Sequence, residues 1–489
     1  MGKLRFFFIF LVTQILLTSV SFSQGISIGQ WREHLPYAQG KSITASDDKV
    51  FCATEYSVFA YKKADNSLVY YNTINGLSDV GVSVINYHKP TETLVIGYKN
   101  ANIDLITKSG RVINLSDIYR KSITGNKTIN EITFEGNLAY LACGFGIVSM
   151  DMKKQEIRDT YIIGPAATYL NINDIAVRDT AIYAATAEGL YFADDYQNVN
   201  LLDYRSWQKD TSLMKPNAPY REVAFFQDFM FLIDDYGNPE GDTVYLRENK
   251  TWDYFDTTEV KNFHNIYTSQ DQMLLVSRGD IDFFDSSLNM TRRIYTYVDR
   301  SLNARDVLID DQEEIWIADH SVGMVRSKKA WHFDIITPDG PRFINSTAMA
   351  YGAGNIWVAT GGVDVSWNNQ YRIFGVANFA DGDWDAYYYG NEPAFDTIFD
   401  IMDVAVDPAD GDHVFAGSWG KGIVEMKEGK VVKVYTDKNS PVQPRPEYYF
   451  MGIAGLTFDN NKNLWATNSY VGDGLLMKTP DGKWKSFDL

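Results

Sequence analysis

A five-residue pattern of apolar, aromatic, apolar, small and Thr recurs along the chain, and it limits the fold more than any other feature. Its clearest copies are Val50-Phe51-Cys52-Ala53-Thr54, Ile182-Tyr183-Ala184-Ala185-Thr186 and Ile356-Trp357-Val358-Ala359-Thr360. Variants begin at Leu94, Ala139, Met230, Leu274, Ile315, Val414 and Leu464. The first eight copies lie about 41 to 48 residues apart, the period of a four-stranded propeller blade. An aliphatic stretch and a turn such as Asp47-Asp48, Arg178-Asp179 or Asp310-Asp311 precede the copies. A Gly-aliphatic step follows, as at Gly146-Ile147, Gly189-Leu190, Gly323-Met324, Gly422-Ile423 and Gly474-Leu475. Many copies end on a Trp-bearing segment, at Trp207, Trp252, Trp331 and Trp484. Four short strands joined by tight turns, with almost no helical periodicity, predict an all-β chain. Small residues in the second strand (Ala53, Gly97, Ala142, Ala185, Ala318) suit crowded blade-to-blade packing.

Seven copies make one closed β-propeller, and the three after Asn345 begin an incomplete second one. Trp31-Arg32-Glu33-His34-Leu35 has the look of an outermost strand without its blade. It is expected to complete the seventh blade, with Trp331 to Asp339 crossing over to serve the second ring. The expected domains are therefore a signal peptide over 1–23, a first propeller over 24–334 and second-ring blades over 335–489. Three blades cannot close on themselves, so a fragment of a longer product is the favoured explanation, with completion by another chain as the alternative.

Lys3 and Arg5, the apolar run Phe6 to Val20 and Ser21-Phe22-Ser23 read as a secretory signal cleaved before Gln24. No later run of 18 apolar residues suggests a membrane helix. Formal charge is −18, or −20 once the first 23 residues are set aside, which argues against general nucleic-acid binding. Cys52 and Cys143 fall in blades one and three, so two buried free thiols are expected rather than a disulfide.

One polar residue stands one position before the expected innermost strand of each blade of the first ring: Ser42, Ser83, Glu131, Asp174, Glu222, Asn265 and Asp306. Innermost strands line the channel, so these side chains should crowd its mouth. The four acids Glu131, Asp174, Glu222 and Asp306 are the candidate binding residues, since converging oxygens suit a cation or cationic ligand. The favoured alternative is structural, with each group capping a neighbouring blade's amides or holding water. Two acidic loops, Asp234-Asp235-Tyr236-Gly237-Asn238 with Glu240 and Asp242, and Asp407 to Asp412, lack the alternating calcium-loop spacing. The second sits where a hairpin turn belongs. His34, His88, His264, His320, His332 and His413 form no zinc pattern, and no nucleophile elbow or phosphate-cradling glycine loop occurs. No catalytic residue, cofactor or metal site is expected, and the chain is read as non-enzymatic. Tyr387-Tyr388-Tyr389 and Tyr448-Tyr449-Phe450 could bind a sugar or protein, or pack between blades.

Four strings carry a resemblance: Trp31-Arg32-Glu33-His34-Leu35-Pro36-Tyr37, Ile74-Asn75-Gly76-Leu77-Ser78-Asp79-Val80-Gly81-Val82-Ser83, Asn102-Ile103-Asp104-Leu105-Ile106 and Ala142-Cys143-Gly144-Phe145-Gly146-Ile147. They resemble the PorZ family, components of the type IX secretion system of Bacteroidota. The blades also resemble the propeller repeats of two-component regulators. The PorZ resemblance implies two seven-bladed propellers and a C-terminal β-sandwich, of which this chain lacks four blades and the sandwich. It further implies a non-catalytic adaptor at the outer-membrane cell surface, partnered by the sortase PorU and by PorV and PorQ. That adaptor presents anionic lipopolysaccharide to the sortase, which makes the bond. The alternative is a periplasmic ligand-sensing domain of a hybrid two-component regulator. A net charge near −20 opposes attraction of an anionic polysaccharide, so a local basic cluster, a bridging divalent ion or sugar and lipid contacts would be needed.

Overall fold

The computed structural model describes residues 31–235, 241–255, 261–297, 300–329, 331–446 and 449–488. The expected signal peptide lies outside the described residues. Every recurrent copy forms the second strand of a four-stranded antiparallel blade, from Lys49–Ala53 in blade one to Leu464–Ser469 in blade ten. Blades one to seven span residues 42–71, 82–115, 129–161, 172–209, 220–254, 263–294 and 304–336. Their first strands neighbour one another in sequence order, and that of blade seven returns to that of blade one, so the ring closes. Blades eight, nine and ten span 348–387, 401–435 and 451–487 and stand side by side as part of a second ring. An eleven-residue strand, Asp410–Gly420, pairs at Trp419 and Gly420 with blade ten and joins blades nine and ten into one sheet.

The repeat has a physical origin in blade packing. Ala53, Ala142, Ala185 and Ala318 are fully buried. A Cβ at Gly97 would press on Ile129 of the next blade at 2.9 Å. Gly422 opens a third strand with φ of +88°, and a Cβ there would strike the Tyr435 carbonyl of the fourth strand. Gly422→Ala combines a left-handed backbone with a main-chain collision, and should cost about 2–4 kcal/mol in urea denaturation. A loss under about 0.5 kcal/mol would show that the strand shifts freely.

Closure differs from the expectation. The fourth strand of blade seven is His332–Ile336, paired Met324 with Ile336, Val325 with Ile335, Arg326 with Asp334 and Ser327 with Phe333. Among the described residues Trp31–His34 form no strand, and blade seven takes its fourth strand from the segment after Trp331 in place of the one expected around Trp31. The reason is local: His332–Ile336 follows its partner strand through a short turn, which costs far less loop entropy than recruiting a segment about 300 residues away.

Side-chain packing closes the ring instead. Tyr37, Ile43, Val50, Cys52, Phe59 and Tyr61 share one core with Leu308, Trp316, Ala318 and Met324 of blade seven. Trp316 is fully buried, its indole N–H donates to Asp310 at 2.9 Å, and its ring meets Tyr61 at 5.3 Å. Arg326 lies over the Trp316 ring at 5.1 Å and pairs with Glu314. Lys63 reaches across from blade one to Asp310 at 2.8 Å, both side chains almost wholly buried. The Gly40 amide donates to the Asp319 carbonyl at 2.9 Å. Both cysteines are buried free thiols, as expected.

Candidate functional site in the first ring

The first strands of the ring bulge near their starts. Pairing slips between Ile172 and Asp174, Tyr220 and Glu222, Phe263 and Asn265, and Ala304 and Asp306. In blade three Ile129 and Glu131 face consecutive residues, so Asn130 is the extra one. A bulge re-aims side chains, and here it turns two successive residues toward the channel. The polar residue found from the sequence is one, and the residue before it is the other.

The first set lies at the waist rather than the mouth. Ser42, Glu131, Glu222, Asn265 and Asp306 line both a cavity of about 680 Å³ and a second of about 270 Å³ beyond it, and so stand between them. Asp174 is buried and lines the larger cavity. Most of these groups stitch one blade to the next. Asp306 accepts the Val307 amide of its own strand and the Ile43 amide of blade one, both at 2.8 Å. Asp174 accepts Ile175 at 2.7 Å and Val223 of blade five at 2.8 Å. Ser42 accepts the Ile85 amide at 3.3 Å. The second ring repeats the device, where Asp403 accepts Val404 at 2.9 Å and Leu456 at 2.6 Å. Among the described residues Glu131 accepts only its own strand's Ile132 amide, at 2.9 Å.

Burial sets the protonation of these acids. It pushes Asp174 up to about 7 and Asp306 up to about 6, against the pull of the amides each accepts. Glu131 is raised by burial and then by the nearby Asp174 and Asp306. Glu222 is raised by burial and by Asp174, Glu131 and Asp306, with the Ile266 amide opposing. Among the described residues, no three His, Cys, Asp or Glu side chains form a group that could hold one metal ion.

The residue before each acid was missed by sequence reasoning, because only the bulge turns it inward. Asn130, Asn173, Arg221, His264 and Arg305, with Lys41, line the smaller cavity above the waist. In blades three to five this side chain ties the next blade. Asn130 donates to the Ile172 carbonyl at 2.6 Å, Asn173 to that of Tyr220 at 2.7 Å, and Arg221 to that of Phe263. Blades six and seven break the series: Arg305 Nη1 donates instead to His264 Nε2 at 2.8 Å. A basic residue standing just before the channel polar residue in blades five to seven (Arg221, His264, Arg305) is the signal that would have found those three.

The other candidates are structural. Asp234 accepts the Thr243 amide at 2.6 Å, Asp235 pairs with Arg221, and Asp242 accepts the Phe263 amide at 2.8 Å. Residues 236–240 of that loop lie outside the described residues. Asp407 to Asp412 forms a hairpin turn, with Asp407 opposite Asp410. Tyr387 stacks on Trp357 and Phe450 packs against Trp419, while Tyr389 and Tyr449 are exposed. Tyr448 lies outside the described residues.

A closed seven-bladed ring followed by three blades of another defines a tandem β-propeller protein. Residues 50–208 match the family model described as the type IX secretion PorZ N-terminal β-propeller domain. The chain superposes with a TM-score of 0.80 and 22% identity on PorZ of Porphyromonas gingivalis, described as an essential bacterial surface component of the type IX secretion system. The match covers 94% of this chain, which spans 60% of that structure's length. The extracellular domain of a candidate hybrid two-component system of B. thetaiotaomicron matches at TM-score 0.46 and 14% identity, over 93% of this chain and 65% of its own. A sequence comparison with curated proteins finds no match. Among the described residues no helix is long and apolar enough to cross a membrane.

Proposed function

We propose that this chain acts as a non-catalytic adaptor of the type IX secretion attachment machinery, exported to the cell surface. The observation that supports it most is the PorZ family match over residues 50–208, joined to a fold shared with PorZ across both rings. In this reading the propeller presents anionic lipopolysaccharide to the sortase PorU, and the sortase supplies the bond-making chemistry. PorV and PorQ would complete the assembly. Co-purification of the tagged chain with the sortase from its native host tests the role. Retention of both sortase and anionic lipopolysaccharide is expected, and loss of both overturns the adaptor reading.

For Asp174, Glu222 and Asp306 we infer a stitching role in place of cation binding, and for Glu131 a bond within its own strand. Two acids give both carboxylate oxygens to amides, one of them on the neighbouring blade. Calcium or spermine at millimolar concentration should leave the melting temperature unchanged within about 1 °C. A clear rise that Glu131→Gln removes would restore the binding role.

A further inference from the structure

We propose that Arg305 and His264, flanked by Arg278, form a binding site for an oxyanion, phosphoryl or carboxyl, beside blades six and seven at the mouth of the first ring's channel. The proposal rests on charges that the fold brings together and leaves unbalanced, and it does not depend on the adaptor reading.

Three cations are settled elsewhere around this face. Lys41 and Lys99 pair with Glu55, and Arg221 pairs with Asp235 and Asp242. Arg305 has no such relief. Among the described residues it meets no carboxylate within ion-pair distance, its one hydrogen bond goes to His264, and its Nε is buried without a partner. A buried unmatched guanidinium N–H is costly unless a ligand satisfies it.

Two neighbours sharpen the imbalance. Arg278 follows Ser277, which pairs with Phe263 beside His264, and the Arg278 amide donates to the Asn262 carbonyl at 3.2 Å. His320 follows Asp319, which pairs with Ala304 beside Arg305. Arg278 is exposed and makes no ion pair among the described residues. Burial, then Arg305, Arg221, Arg278 and His320, pushes His264 down to about 3, so its ring is neutral. Nε2 accepts from Arg305, which leaves the proton on Nδ1. The Arg305 guanidinium and the His264 imidazole line one cavity, and the Arg278 charge is near enough to act on His264, donor types that recognise phosphate or carboxylate. The cavity of about 270 Å³ that Arg305 and His264 line gives room for such a group, and the acids Glu131, Glu222, Asp235 and Asp306 line it too. Screening over about 8 Å lets this local cluster act despite the overall negative charge.

The test is calorimetric titration of the full chain at low salt with inorganic phosphate, glucose 6-phosphate, glucuronate and neutral glucose. Binding of phosphate or glucuronate but not glucose is expected, and which of the two binds tighter assigns the oxyanion. Arg305→Gln should weaken it at least tenfold and Arg278→Gln at least threefold, whereas Lys433→Gln should leave it unchanged. If Arg305→Gln does not fold, the exposed Arg278→Gln carries the test. No binding of any anion, or wild-type affinity in both arginine variants, overturns the site. A parallel titration with anionic lipopolysaccharide separates the two ideas: binding of small anions without polysaccharide keeps the site and counts against the adaptor reading.

Discussion

Trp316→Ala is expected to lower the stability of the first ring by about 3–5 kcal/mol, the largest loss of any single core truncation at its closure. The indole is fully buried between blades one and seven, and it contacts the Tyr61 ring, the Arg326 guanidinium and the Asp310 carboxylate. Removing it opens a cavity and strips Asp310 of a donor, although Lys63 remains. Trp31→Ala should by contrast change stability by less than about 0.5 kcal/mol, since Trp31 is 88% exposed. Paired urea denaturation curves decide between the two outcomes. Equal losses would mean that the N-terminal segment shares the work of closure.

The second large effect is a fall in stability with rising pH. Asp174 titrates near 7 and Asp306 near 6 in the folded ring, against about 4 in an unfolded chain. Between pH 4 and pH 7 the folded state therefore holds protons that the unfolded state has released. Stability from these groups is complete below about pH 4 and is lost as pH rises through 6 and 7. The raised Glu131 and Glu222 act in the same sense. The expected change is on the order of 2–4 kcal/mol. His264, held neutral, works the opposite way, adding stability as pH rises toward 6.5. The acids are isolated by comparing wild type with Asp174→Asn, whose denaturation midpoint should depend less on pH over this window. Parallel pH curves for the two proteins would contradict the buried, proton-holding waist.

The blade architecture was legible because the recurrent segment always lies on a second strand, where crowded neighbouring blades favour small residues, and most copies carry an aromatic. The Gly-aliphatic step was legible for the same reason, as Gly422 illustrates with its approach to the Tyr435 carbonyl. Closure was misread because Trp31-Arg32-Glu33 and Trp331-His332-Phe333 share one outer-strand pattern, and pattern alone does not reveal partners. Chain proximity does: His332 follows its partner strand directly. The acids were found as a set, yet their position between two cavities depends on the bulges. The cationic set stayed hidden because a regular strand would alternate sides, sending Arg221, His264 and Arg305 away from the channel residues Glu222, Asn265 and Asp306 that follow them.

Amide hydrogen exchange on the intact chain tests closure most directly. Amides of His332–Ile336 should be protected like those of the third strand of blade seven, Gly323–Lys329, with which they pair. Rapid exchange across His332–Ile336 while Gly323–Lys329 stays protected would contradict a seventh blade completed by the segment that follows it.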